Sequence, residues 1–422
     1  MVMRTDLKSR QANSPRFIDT ARASKVAPPA DMAVPIGPEG REFCLYTAQM
    51  GYDLQEELDF LSYRAIEPNV FFTGRFLAPA MPRVDERTVR LALLRDEDGT
   101  RSRLRFLMPF TIERPGYSLG SSIIRAWSNP FAPLGTPLLD GEGAVDSMSH
   151  MLEAFANPAL GLPDVLVFPD SRLNGPFARL ARAVAINLNL PLDTTDTVQR
   201  PMLDSLDDGP DYLKDAITPH HYRDMQRQWR KLSENGALIY DVARQPQDIH
   251  FRLEEFLALE ASGWKGQKRT AMVTDRYHAA FAREAVTNLA DSDAVRIHTL
   301  SLDGQVLASM IVLLMGGEAF TWKTAYNEAY ASFSPGKLLA MKVTEWNLDD
   351  PNISRSDSCA VPDHPIMSRF WKEREDMGTL IIGLKPSADR DVRQVAAQLH
   401  LYRNTRQIAR MLRQKLRSLT RR

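Results

Sequence analysis

The residues able to do chemistry concentrate in one stretch, FTWKTAYNEAYASFSPGKLL at 320–339. An apolar run, Ala319 to Tyr326, passes through the polar segment YASFSPG into a pattern of Leu338, Leu339, Met341, Val343 and Trp346, whose three- and four-residue spacing predicts a helix. A loop that opens into a helix after a strand is a ready anion site. The first helical amides have no internal partner, and the helix dipole places partial positive charge there. Ser334 suits the cap, Pro335 fixes φ at the helix entry, Gly336 admits a ligand to the backbone, and Lys337 adds a mobile cation. The same four residues also suit an ordinary capped helix.

The elements that must position this stretch flank it on both sides. VRIHTLSLDG and QVLASMIVLLMGG read as strands joined by the turn pair Asp303-Gly304, because both turn positions need positive φ. The Gly316-Gly317 turn leads to the third strand. After the helix come a short strand-like ISRSDSCA, an expected helix from Pro365 to Met377, and the apolar run TLIIGL. The order is hairpin, strand, loop into helix, strand, helix, strand, which directs attention to acyl transfer.

Three blocks carry a family resemblance: LEASGWKGQKRTA at 259–271, FTWKTAYNEAYASFSPGKLL at 320–339 and DSCAVPDHPIMSRFWKER at 357–374. They resemble the GNAT-type acyltransferases, and more narrowly the CelD-like (cellulose-biosynthesis-associated) branch related to FemAB-type aminoacyl transferases. PNVFFTGRFLAPA at 68–80 extends the likeness loosely into the N-terminal half. One departure is that only Gly336 stands where the general GNAT phosphate loop has two spaced glycines. The resemblance implies acetyl- or another acyl-coenzyme A as co-substrate, held by Lys323, Ser334, Pro335, Gly336, Lys337 and Leu338. It implies direct attack of an amine on the thioester, with a backbone N–H of Lys323 to Tyr326 polarising the carbonyl. Asp357, ending the strand expected beneath the thioester, and His364, which titrates in the working range, are the candidate general bases, and each also suits a turn or loop role. Tyr326 is the candidate acid for the departing thiolate, or a core aromatic.

Lys323, among apolar strand residues, either reaches the cleft or meets a carboxylate such as Glu328. Ser262-Gly263-Trp264-Lys265, with Lys268 and Arg269, reads as a mobile loop presenting an aromatic and positive charge, or as a helix C-cap with a solvated basic loop. In the branch it lies where an acceptor or the cofactor tail is held, which groups Trp264, Lys265, Trp322 and Glu328 as substrate-binding. Cys359 has no base fixed near it by spacing and reads as structural. The histidines form no spaced ligand set, so no metal is expected, and neither a phosphate-binding Walker loop nor a dinucleotide-binding glycine fingerprint is present.

A chain of 422 residues, 44% hydrophobic and 25% charged with zero formal net charge, suits two globular domains and gives no global argument for nucleic acid. Two distant cysteines, no apolar run of spanning length and no secretory signal suit the cytoplasm. The expected organisation is a mixed α/β fold of two GNAT-like lobes in tandem. A proline-rich disordered arm covers 1–40, an N-terminal lobe 41–200, an acyltransferase lobe 210–400 and a basic amphipathic helix 401–422. The polar, turn-forming stretch 195–220 joins the lobes. Within the first lobe, Phe71 to Ala80 reads as a helix and Asp96 to Thr100 as a hairpin turn. The last helix either packs on the domain or sits on an anionic membrane surface. The expected activity is acyl transfer to an amine on a sugar, polysaccharide precursor or small metabolite, with no DNA partner. The alternatives are a FemAB-like transferase using aminoacyl-tRNA and a non-catalytic binding protein at the membrane surface.

Overall fold

The computed structural model describes residues 28–97, 102–116 and 120–419, with side chains to residue 405. Fourteen strands are present among them: β1 (Met32–Pro35), β2 (Arg41–Thr47), β3 (Arg90–Glu97), β4 (Ser102–Glu113), β5 (Ile123–Ala126), β6 (Leu138–Leu139), β7 (Val165–Arg172), β8 (Leu192–Leu203), β9 (Leu238–Ala243), β10 (Val295–Leu302), β11 (Gln305–Met315), β12 (Glu318–Tyr326), β13 (Arg355–Asp357) and β14 (Glu373–Gly383). They form one sheet in the order β1-β2-β3-β4-β5-β7-β14-β8-β13-β12-β11-β10-β9, with β6 beside β4. Only β5–β7 and β12–β13 are parallel pairs.

The order is pseudo-symmetric about its centre. Hairpin β3-β4 followed by the parallel pair β5–β7 in the first lobe matches hairpin β10-β11 and the pair β12–β13 in the second. At the centre the lobes exchange their last strands: β14 lies against β7 of the first lobe, and β8 lies against β13 of the second. This corrects the expected join at 195–220. That stretch holds most of β8, and helix Gly209–Ala216 follows it. The β-branched run Thr194, Thr195, Thr197 and Val198 suits a pleated surface, but its polarity reads as a linker until β14 is laid beside it.

Apolar burial follows the same plan. On one face, helices Gln55–Ser62, Gly74–Ala80, Pro246–Ser262 and Arg276–Ala290 share a continuous core that includes Leu58, Phe76, Phe256 and Phe281. On the other face each lobe keeps its own layer. Helices Ala144–Phe155 and Pro176–Asn187 cover the first lobe, and Gly209–Ala216, Pro219–Ser233 and Pro335–Asp349 cover the second.

Four further expectations are corrected. The arm is not unstructured to residue 40, because Met32–Pro35 pairs with β2; residues 1–27 lie outside the described residues. The helix expected over Phe71–Ala80 is a turn at Val70–Phe72 and a helix from Gly74, separated by Thr73 in extended conformation. The helix expected over Pro365–Met377 is a single turn, Met367–Phe370; from Glu373 the backbone is drawn into β14 by pairing with β8. The last helix begins at Asp389, not 401, and runs to Leu419, with Val392, Val395 and Ala396 packed against Ile123, Val165, Val167 and Ile381. Its expected apolar face from Ile408 onward falls outside the described side chains, as does the turn at 98–101 outside the described backbone. Among the described residues no helix is long and apolar enough to cross a membrane.

Candidate active site

β12 and β13 pair only from Glu318 to Phe320 against Arg355 to Asp357, after which β13 ends while β12 runs on to Tyr326. The gap is a cleft of about 360 Å³ lined by β12 from Thr321 to Tyr326, by Gly336 and Ala340 of the following helix, by 358–367, and by Leu259 to Lys265. A bulge in β12 leaves Trp322 without a partner on β11, since Val312 faces Thr321 and Ile311 faces Lys323. The cleft floor is held by the Thr321 hydroxyl donating to the Ser358 carbonyl at 2.6 Å. Lys265 Nζ donates to the Thr324 carbonyl at 3.0 Å. The backbone groups of Thr324 therefore face the splayed edge, and its N–H shares that direction.

The apex of the cleft is a buried ion network between the lobes. Arg172 of β7 makes a two-pronged pair with Glu318, one contact at 2.9 Å, and reaches Asp357 at 3.1 Å; Arg200 of β8 reaches Asp357 at 3.2 Å and the Pro133 carbonyl at 2.8 Å. Despite the burial of its guanidinium, Arg172 is held charged, above the ordinary arginine range, by Glu318, Asp357 and Glu67. Although burial works the other way, Arg200 and Arg172 hold the Asp357 carboxyl below the usual carboxylate range, and the Cys359 N–H at 2.7 Å adds to this.

The geometry thus gives Asp357 a different task from the expected base. Both oxygens are occupied, the side chain is wholly buried, and it does not line the cleft. His364 does line the cleft, but its Nδ1 accepts from the amides of Met367 at 3.1 Å and Ile366 at 3.4 Å. A nitrogen that accepts two amides is not free to take a proton, so the neutral ring carries its hydrogen on Nε2. Partial burial lowers the His364 pKa and keeps the ring in that form.

Tyr326 and Gly336 face each other at the outer end. A Cβ at Gly336 would sit 3.6 Å from the Tyr326 ring, so the glycine leaves open space there without needing positive φ. Ser334 does not cap through its side chain as expected; it sits in the left-handed region at φ 53°, and its carbonyl takes the amides of Lys337 and Leu338. Pro335 is buried at the helix entry. Ser334, Lys337 and Leu338 open onto a second cavity of about 370 Å³ on the far side of the same helix end, shared with Ile217, His221, Met225, Arg369 and Phe370.

Lys323 does not pair with Glu328. It donates to the Pro130 carbonyl at 3.3 Å and lies over the Phe131 ring at 4.2 Å, while Glu328 accepts the Trp264 N–H at 2.8 Å. Trp322 is nearly buried: its indole N–H donates to the Phe131 carbonyl, and its ring packs edge-on with Phe76 and Phe281. Trp264 is exposed with Lys268 over its ring at 4.4 Å. Lys265 is not a free cation of a mobile loop, since it pairs with the buried Glu260 at 2.8 Å.

Sequence reasoning missed Arg172, Arg200, Glu260 and the segment Pro130–Pro133. That segment follows β5 and reaches across to the second lobe, where the Pro130 and Phe131 carbonyls accept from Lys323 and Trp322 and the Pro133 carbonyl accepts from Arg200. The equivalent gap in the first lobe is crossed by the Ser128 hydroxyl to Asp170 at 2.5 Å and by the Gly135 amide to the Asp170 carbonyl at 3.3 Å, over the buried Trp127. Among the described residues no group of three His, Cys, Asp or Glu could hold a metal ion.

Residues 219–359 match the acetyltransferase (GNAT) domain family. No curated protein matches the chain. Among solved structures, FemX is similar at 9% identity and a TM-score of 0.52, over 80% of this chain and 98% of that one. The C-terminal domain of a putative lysylphosphatidylglycerol synthetase from Agrobacterium fabrum aligns at 11% identity and a TM-score of 0.49, over 83% and 97%. A tandem GNAT protein from the clavulanic acid biosynthesis pathway aligns at 14% and 0.38, over 82% and 99%.

Proposed function

From a GNAT-type domain match that covers most of the cleft, we propose that the protein transfers an acyl group from coenzyme A thioester to the amine of a sugar, polysaccharide precursor or small metabolite. The observation that carries this reading is continuity: the splayed β12–β13 cleft leads to the helix start at Gly336, and the second cavity lies just beyond. A long, hinged, anionic thioester suits that path. Its acyl-bearing arm would lie along β12, its pyrophosphate at the Gly336 amide and the Lys337 side chain, and its nucleotide in the second cavity near Lys337 and Arg369. Within the cleft the Thr324 N–H polarises the thioester carbonyl, and neutral His364 offers an Nε2–H donor. Tyr326, facing Gly336, borders the arm where it nears the pyrophosphate. Asp357 shapes the site rather than exchanging protons.

The test is calorimetric titration with acetyl-coenzyme A, beside Gly336→Asp, which adds negative charge where the pyrophosphate is placed. Binding by the wild type and its loss in the variant support the reading. Absence of binding to acetyl- and longer acyl-coenzyme A sinks it and turns the search to aminoacyl-tRNA, the FemAB-like alternative.

A further inference from the structure

We propose that Lys323 is the group that takes the proton from the attacking amine, and that the first lobe, through Pro130 and Phe131, holds it at the reacting end of the cleft.

This rests on the acyl-coenzyme A reading above, and begins from an elimination. The titratable residues lining the cleft are Glu260, Lys265, Lys323, Tyr326, Cys359 and His364. Glu260 is consumed by Lys265 and the Met272 amide, each at 2.8 Å, and Lys265 by Glu260 and the Thr324 carbonyl. The Nδ1 of His364 is taken by two backbone amides. Burial and the nearby Asp357 push the Cys359 thiol up, so it stays protonated. Lys323 differs from all of these. Among the described residues it ion-pairs with no carboxylate, and it has one hydrogen bond, to the Pro130 carbonyl, which leaves nitrogen positions for the cleft.

Its surroundings favour the neutral amine. Burial and the positive charge of Lys265 lower its pKa to about 8, against the opposing charge of Glu260. His278 lies 4.8 Å from the Phe131 ring, and Tyr326 and His364 line the same cleft. The ring faces of Phe131 at 4.2 Å and Trp322 at 5.7 Å retain enough attraction for the ammonium form that Lys323 can accept a proton and keep it. A base whose pKa lies near working pH is the useful kind.

The step balances. The acceptor nitrogen forms its bond to the acyl carbon and gives one proton to Lys323 Nζ. The carbon–sulfur bond breaks and the thiolate takes that proton from the Lys323 ammonium, which returns Nζ to the neutral amine. The products are the amide and free coenzyme A.

The experiment is brief carbamylation of the full chain by potassium cyanate, which modifies neutral amines. Residue 323 is followed by peptide mass spectrometry from about pH 6 to about pH 11, with and without acetyl-coenzyme A, alongside calorimetry of acetyl-coenzyme A binding to the wild type and Lys323→Met. The expected result is half-maximal labelling near pH 8, so that at pH 7 its neutral fraction exceeds an ordinary lysine's by roughly 200- to 300-fold. Labelling is suppressed by acetyl-coenzyme A, and Lys323→Met still binds that thioester. Labelling of residue 323 only in step with ordinary lysines overturns the proposal. So does thioester binding that leaves it unprotected. Absence of thioester binding to the wild type instead overturns the acyl-coenzyme A reading itself.

Discussion

Arg172 and Asp357 meet at 3.1 Å across 185 residues of chain, and both are buried at the point where β12 and β13 part. The pair does two things. It closes the interface between lobes where β7 and β13 flank the exchanged strands, and it anchors the turn after Asp357 that presents Ser358 and Cys359 to the cleft.

Removing one member of such a network leaves the others buried and uncompensated, which costs more than the network itself contributes. Arg172→Met leaves Glu318 with only the 3.4 Å Arg355 contact and Asp357 with Arg200 and the Cys359 amide, and should lower unfolding free energy by about 3–5 kcal/mol in urea titration. A loss below about 1 kcal/mol would mean that solvent reaches these carboxylates in the folded protein.

His298 gives a pH dependence with a definite sign. It is buried, its Nδ1 meets the Tyr240 hydroxyl at 2.8 Å, and burial, with Arg296 adding, lowers its pKa from 6.5 to about 3. The unfolded chain therefore binds a proton below about pH 6.5 that the folded protein refuses, so stability falls as pH drops through that window. Between about pH 6.5 and pH 4.5 the loss is of order 2 kcal/mol. His298→Phe should flatten that limb in urea midpoints measured against pH; an unchanged limb assigns it to other groups.

Gly336→Ala separates space from charge. The added methyl makes ordinary contact with Tyr326, and alanine favours a helix over glycine by up to about 1 kcal/mol. The variant should melt at or slightly above the wild-type temperature while binding acetyl-coenzyme A more weakly than wild type and far better than Gly336→Asp. Equal binding by both variants would place the pyrophosphate elsewhere.

Lys265 and Lys268 are close in sequence and unlike in structure. Lys265→Met leaves Glu260 with a buried carboxylate oxygen unpaired and releases the Thr324 carbonyl, so it should cost about 2–3 kcal/mol. Lys268→Met loses an exposed contact over Trp264 and should cost below about 0.5 kcal/mol. Chemical denaturation of the two variants side by side checks the difference; equal costs would mean the Glu260–Lys265 pair is not formed.

The order of elements around the cleft was legible because it rests on short-range signals. Asp303-Gly304 is a hairpin turn with both residues at positive φ. Gly316-Gly317 turns into β12, and the spacing from Leu338 to Trp346 is a helix. The helix expected through Pro365–Met377 failed for the converse reason: Arg374 to Met377 sits opposite Pro201 to Val198, and that pairing outweighs local preference. A polar, threonine-rich β8 looks like a linker to any local rule, because what makes it a central strand lies some 180 residues further along the chain.

What the sequence by itself determined is the mixed α/β character, the strand–loop–helix start at Ser334 to Leu338, and the neighbourhood of Trp264, Lys323, Tyr326 and His364. The first two follow from periodicity and turn chemistry within a few residues, and the third is what the family resemblance of the three blocks implies. The tertiary structure alone decided that the lobes exchange β8 and β14, that Asp357 is neutralised by Arg172 and Arg200, and that Lys323 faces Pro130 and Phe131 instead of Glu328. A side chain's protonation and reach depend on the charges and surfaces folded against it, and here those come from segments more than a hundred residues away.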